Sequence, residues 1–333
     1  MTGQVQAQFQ GLQAAADFLG TGAIEVNKYE SEILDIVRRT STALNRLPKI
    51  PATGHPHRYF EQTAIATAAF TDPRAIAPTA QNPTRVERSA MIKAITAQSN
   101  LSLFDVDVTR MQGQFAYIES RDINDIVNAV AVLQASNIWN GTDTSLTTPT
   151  SIQYVGLLNQ ITLQSTVAPG ASIIDGIKAQ VAAMMANQTY VVRPTAIYLN
   201  PILADYIDRE AKAGNVTIGS LEVQAGVTVP AIQTQAGLLP LITEPFMPTL
   251  AANTAGFGFS APGAGIKTYF AVIVTENMVE IPYVHGGDGN PNPRLFQLGL
   301  LANLLGQYVA INFSAIVAKG PSYAHATVAV QRP

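Results

Sequence analysis

The sequence predicts an α+β protein with a strong tendency to associate, on three observations. Helices and strands fall in segregated runs rather than in regular alternation. One helix-spaced apolar stripe, Ile123–Trp139, is long for an ordinary globular helix. And about fifty residues between Lys49 and Ala97 form an extended, turn-rich excursion with no evident core of their own. Ordering backbone costs ~1–2 kcal/mol per residue, so such an excursion must bury something in return. Either it is disordered, or its partner surface lies on another molecule.

Composition supports the second reading. Charged residues make up 13% of the 333, and apolar residues 47%. An average soluble protein carries roughly 25% charge, and a monomer with so little is poorly protected against association. No stretch approaches the ~20 uninterrupted apolar residues of a membrane-spanning helix, since Gln297, Asn303 and Gln307 break even Leu295–Val309. Met1–Gln13 is polar and lacks the basic-then-apolar order of a secretory signal. The absence of cysteine excludes disulfides and thiolate metal sites, and suits synthesis in a reducing cytoplasm. A net charge of −3 leaves no basic footprint for nucleic acid.

Each element follows from local signals. Val5, Phe9, Leu12 and Ala16, then Ile33–Leu44, have helical spacing and predict an N-terminal arm over 1–48 that ends at Pro48. The excursion 49–97 reads as a long two-stranded hairpin. His57–Phe70 runs outward, Pro73, Pro78 and Pro83 punctuate the tip, and Arg85–Ile95 returns as one strand. An isolated hairpin of that length is marginal in water and gains stability by lying on another subunit. Its candidate contact residues are Arg58, Phe70, Arg74, Arg85, Glu87 and Arg88, and its prolines and charges also blunt edge-to-edge aggregation.

Ile123, Ile126, Val127, Val130 and Leu133 then form a helical stripe, with Asp122 and Asp125 near the favourable N-terminal end and Asn140–Gly141 as the stop. Ile173, Ile174, Ile177, Val181, Met184 and Met185 predict a second helix. Tyr190–Val192 and Ala196–Leu199 read as strand. Asn200–Pro201 opens a third helix, with Asn as N-cap and Pro at the first helical position. Ile202, Leu203, Tyr206 and Ile207 supply its buried face and Gly214 ends it. Strands are expected at Val223–Val229, Leu238–Ile242, Thr268–Thr275, Met278–Val284, Tyr308–Phe313 and Ala324–Val330, the last two packing against the long helix.

No catalytic constellation emerges. Gly256–Ala261 imitates a dinucleotide fingerprint, but Pro262–Gly263 follows where a helix must start, so it reads as a flexible loop. His285–Asn290 resembles an oxyanion or calcium loop, yet no nucleophile elbow exists, and Gly299 stands where calcium needs a bidentate Glu. His55 and His57 flank a proline and read as surface residues. Asp105 and Asp107 share one face of an expected strand and read as solvated. No cofactor and no metal is expected.

The order of these parts resembles the Hong Kong 97-type fold, found in major capsid proteins of tailed double-stranded DNA bacteriophages and in encapsulins. Three runs carry the resemblance: Ile123–Trp139 with its Asn140–Gly141–Thr142 stop, Arg193–Pro201, and Gly306–Val309 followed by Phe313–Ile316. The resemblance implies a peripheral domain over 98–149 with a spine helix, an axial domain over 150–285, and closing peripheral strands over 286–333. It implies an extended loop laid over a neighbouring subunit. It also implies self-assembly into hexamers and pentamers of a head around packaged DNA, touched without sequence preference. Portal and separate scaffolding or decoration proteins are the implied partners, and the implied location is a virion assembled in bacterial cytoplasm, with no membrane.

Some relatives weld subunits through a lysine on the extended loop. Thr71–Glu87 holds no lysine and Lys93 lies on the return strand, so no such cross-link is expected here. No cleaved scaffolding segment is expected either, as no long charged helical stretch precedes the arm. The alternatives are an encapsulin enclosing a protein cargo, another virion structural protein, or a hydrolase with an unrecognised site.

Overall fold

A computed structural model describes residues 41–333 except 67, 69, 71–73, 75–81, 103, 105–106, 109–110, 112–117, 215–218, 225–226, 286–288 and 299–304. In chain order, α1 (Thr42–Arg46) and β1 (Lys49–Pro51) precede a hairpin of β2 (His57–Ala64) and β3 (Thr84–Ala90). Next come β4 (Lys93–Ser102), the long helix α2 (Ile118–Asn140), α3 (Leu157–Gln160), β5 (Gln164–Val167) and α4 (Ile173–Met185). After β6 (Ala196–Leu199) and α5 (Pro201–Ala213) follow β7 (Gly219–Gln224), β8 (Val227–Thr234), β9 (Gly237–Thr243), β10 (Thr249–Leu250) and β11 (Lys267–Val274). The chain closes through β12 (Val279–Tyr283), β13 (Arg294–Leu298), β14 (Leu305–Ser314), β15 (Val317–Ala318) and β16 (Ala326–Arg332).

Eight strands form a mixed sheet in the order β5-β16-β11-β6-β9-β8-β7, with β10 alongside β11. Strand β11 is buried from Thr268 to Val274, because both faces of this sheet are covered. Tyr269, Ala271 and Ile273 join Ile197, Leu199 and Val328 beneath α4 and α5. Phe270, Val272 and Val274 point the other way, into a core shared with α2. A second sheet sets β14 between β4 and β13, both antiparallel to it, and runs on through β12 to β1 and β15. Helix α2 lies against β4 and β14.

At 23 residues, α2 makes a rod of roughly 34 Å. Its inward stripe is Ile123, Ile126, Val130, Gln134, Asn137 and Ile138, while Leu133 is 49% exposed. The stripe therefore continues through two polar residues and bypasses the leucine, which sits about 80° off its axis at 100° per residue. Gln134 Nε2 donates to Ser314 Oγ at 3.2 Å, and its Oε1 accepts from Asn312 Nδ2 at 3.1 Å. A buried polar pair on β14 thus replaces apolar packing.

Gly141 ends α2 by close approach: a Cβ there would lie 2.4 Å from the Tyr154 carbonyl oxygen. Likewise a Cβ on Gly156 would lie 2.5 Å from the Gly141 nitrogen. These two glycines let the segment after the helix fold back against its end.

Several expectations are corrected. The single return strand breaks at Met91–Ile92 into β3 of the hairpin and β4 of the second sheet. Tyr190–Val192 is irregular, and the single strand expected as Val223–Val229 is divided between two antiparallel strands, the end of β7 and the start of β8. Ile202 and Met185 face outward. Position 107 is helical rather than extended. Residues 1–40, Asp105 and Gly286–Asp288 lie outside the described residues.

Candidate functional site: an open hairpin and its root

Strands β2 and β3 pair from His57↔Ala90 to Ala64↔Thr84 and form a two-stranded sheet of their own. Alternation along β2 holds from His57 to Gln62. His57, Tyr59 and Glu61 turn toward the body, while Arg58, Phe60 and Gln62 turn outward. The sequence hid this period because the inward set is polar-tipped and the outward set holds Phe60, which is 73% exposed. Further out, Ile65 is 53% exposed and Phe70 fully so. No described element covers these side chains, and exposed large apolar groups clustered on one projection mark an association surface.

The structure places the candidate contact residues on this projection. Arg58 Nη1 lies 3.0 Å from Glu87 Oε1 across the strands, with both side chains exposed. Arg88 Nε lies 3.1 Å from Glu61 Oε2. Arg85 is exposed opposite Gln62, and Phe70 and Arg74 are exposed toward the tip. The sequence missed the root, which fastens the hairpin to the body. There, Glu61 Oε1 accepts from the Gly320 amide at 3.0 Å, and the Tyr190 hydroxyl donates to the Thr63 carbonyl at 2.7 Å. Tyr190 stacks on Tyr323 with ring centroids 4.0 Å apart. The adjacent Tyr59–Phe60 pair was the available signal, since one ring of such a pair must face inward on a strand.

Beside the root lies an open cleft of about 510 Å³, lined by Tyr59, Glu61, Arg88, Thr147, Asn159 and Tyr190. A groove of about 300 Å³ adjoins it, walled by Phe60, Ile65, Tyr190 and Met278. Burial, with the Glu61 carboxylate adding to it, pushes the Tyr59 hydroxyl up to about 12, so it stays protonated. Among the described residues, the hairpin is therefore fastened to the body through Glu61 and Thr63, while Phe60, Ile65 and Phe70 stay exposed.

Two ionic clusters brace what the hairpin springs from. Lys93, first in β4, donates to Asp143 Oδ2 at 2.8 Å and to the Ser151 carbonyl. Burial pushes the Asp143 carboxyl up, but Lys93 and donors from Thr150 and Ser145 outweigh it and hold it well below the usual range. Lys93 is thus committed within its own chain. Ahead of β1, Arg46 grips Glu276 through Nε at 2.8 Å and Nη2 at 3.0 Å, and the Tyr198 hydroxyl donates to the same carboxylate.

The motif-like runs resolve into structure. Gly256–Phe259 is a tight turn with φ of +53° at Phe257 and +83° at Gly258. Its two rings pack on Phe270 at 5.5 and 5.6 Å, so it is a clamp on the sheet rather than a flexible loop. His57 is 3% exposed, which corrects its surface reading: the strand period turns it inward. Among the described residues no cluster of three or more His, Asp or Glu could hold a metal, and no helix is long and apolar enough to cross a membrane.

A long helix on a three-stranded antiparallel set, a doubly covered mixed sheet and a projecting hairpin define the Hong Kong 97-type shell fold. Solved structures bear this out across nearly the whole chain. The capsid of cyanophage A-1(L) matches with a TM-score of 0.63 at 11% identity, covering 91% of this chain and 96% of that one. The head of Helicobacter pylori bacteriophage KHP40 gives 0.63 at 10% identity over 93% and 95%. The holo-SrpI encapsulin of Synechococcus elongatus gives 0.57 at 12% over 96% and 94%. No protein-family model and no curated protein sequence matches.

Proposed function

We propose that this chain is the major capsid protein of a tailed double-stranded DNA phage. In this reading its copies form hexamers and pentamers and close into an icosahedral or prolate head. Residues 1–48 act as the arm, 49–97 as the extended loop, 98–149 and 286–333 as the peripheral domain and 150–285 as the axial domain. The observation that carries the reading is the hairpin: it leaves Phe60, Ile65 and Phe70 uncovered on a fold otherwise seen in shells. Arg58, Phe70, Arg74, Arg85, Glu87 and Arg88 are its contact residues toward a neighbour. Portal, scaffolding or decoration proteins are its further partners, and the packaged DNA meets it without sequence preference. Assembly takes place in the bacterial cytoplasm. Lys93, bound to Asp143, favours a shell joined without lysine cross-links.

Electron microscopy and sizing of the purified chain test this. Closed particles are expected, and a stable 35.4 kDa monomer at high concentration overturns the reading. The encapsulin likeness supports a second reading, a shell around a protein cargo. A neighbouring gene for a cargo enzyme, in place of portal and terminase genes, would decide for it.

A further inference from the structure

The hairpin begins at a histidine with half of its bonding unmet. The His57 Nδ1 accepts from the Thr53 amide at 3.3 Å, which puts the ring proton of the neutral form on Nε2. That buried Nε2 has no partner, and neither does Glu280 Oε2 on β12, although both are buried. The other oxygen of Glu280 accepts from Lys319, whose ammonium lies 5.7 Å from the centre of the Tyr59 ring. Glu280 and Lys319 are the charged groups that His57 feels, one from β12 and one from the segment after β15. An unmatched donor and an unmatched acceptor in one electrostatic neighbourhood each carry a desolvation cost that a second seating of the root would remove. Open volume adjoins the root, the cleft at Tyr59 and the groove at Lys319.

We propose that His57 and Glu280 form a protonation-sensitive latch that sets how the hairpin sits on the body. The neutral ring accepts from Thr53 and holds β2 in place. A proton taken from solvent onto Nδ1 ends the bond from the Thr53 amide, leaves the ring only the Thr53 hydroxyl oxygen at 3.3 Å as a weak acceptor, and draws it toward the Glu280 carboxylate. The latch rests on the reading that the hairpin is the segment that reaches a neighbour, and it makes that reach depend on pH. Burial lowers the ring's pKa below its ordinary 6.5, with Glu280 raising it and Lys319 lowering it further. The released root therefore binds a proton more readily than the seated one, and seating is fully stable above about pH 6.5 and weakens as pH falls below it.

Backbone amide exchange of the full chain, read between neutral and mildly acidic pH and corrected for intrinsic rates, tests this. Exchange in Arg58–Thr63 is expected to rise several-fold on acidification while β11 amides stay protected. H57Q keeps a neutral donor and acceptor and is expected to flatten that rise. E280Q removes the carboxylate that receives the protonated ring in the second seating, so it lowers the released ring's pKa more than the seated ring's and is expected to move the onset to lower pH. Wild-type exchange independent of pH, or a transition that survives H57Q unchanged, overturns the latch. Should H57Q fail to fold, the direction of the E280Q shift decides alone. Particle formation, scored separately by microscopy, tells failure of the latch from failure of the shell reading.

Discussion

The large sheet and the hairpin are both β-structure, yet the chain completes one and leaves the other open. In β11 every residue from Thr268 to Val274 is buried, with alternate side chains feeding two cores. In β2 only His57 is buried and the outer residues are exposed. At roughly 1.5–3 kcal/mol per large apolar side chain buried, the sheet offsets its ordering cost within one chain, and the hairpin does not. On the proposal that the hairpin meets a neighbour, stability and association reside in different strands, and substitutions should separate them.

The largest effect is expected where the core on the α2 side of the sheet meets the helix. Trp139 is fully buried at the end of α2, with its ring 5.4 Å from that of Tyr198 on β6. W139A leaves a cavity between helix and sheet and should cost about 3–5 kcal/mol. Urea unfolding reads this as a lower midpoint, accompanied by loss of folded protein rather than by folded, unassembled subunits. A variant that melts like wild type but fails to assemble would place Trp139 on the open side of the comparison.

Next comes the brace between them. The Asp143 side chain is fully buried, and K93M leaves its carboxylate without a cation, an expected loss of about 3 kcal/mol near neutral pH. The Asp143 carboxyl is held below its ordinary 3.8, so its contribution is present above that value and lost as pH falls through the acid range. The gap between K93M and wild type should therefore narrow as pH drops below about 4, because a protonated Asp143 no longer needs the ammonium. A gap independent of pH would mean that the Lys93 stem, not its charge, does the bracing.

How far the sequence revealed this division depends on how each strand is stabilised. Helices α4 and α5 were legible from spacing and from Asn200, whose Oδ1 accepts from the Ile202 amide at 2.9 Å. The doubly covered strands were legible as near-continuous apolar runs at Ala196–Leu199 and Thr268–Thr275. The polar seam of α2 was not, because Gln134 looks like a solvent position until Asn312 and Ser314 arrive from about 180 residues away, and buried Asn137 bonds the Leu133 carbonyl one turn back. Nor was the hairpin root: Glu61, Tyr190 and Gly320 come from three distant segments, and no local period links them. Of the contact candidates, Arg58 and Glu87 meet each other, while the exposed Phe60 beside them is not among the candidates the sequence offers.

Phe60 gives the sharpest contrast for the smallest cost. At 73% exposure its ring contributes little to the folded subunit, so F60S should change the unfolding free energy by no more than about 0.5 kcal/mol. The same change removes the largest apolar group on the outward face of β2, opposite Glu87. If that face meets a neighbour, the yield of closed particles should fall while subunits stay folded, as read by sedimentation beside a melting curve. Arg58 and Glu87 flank it as an exposed pair worth ~0–1 kcal/mol, so their loss alone would not mimic the effect through subunit stability. Particles that form normally from F60S would move the association surface off this face and toward the tip at Phe70 and Arg74.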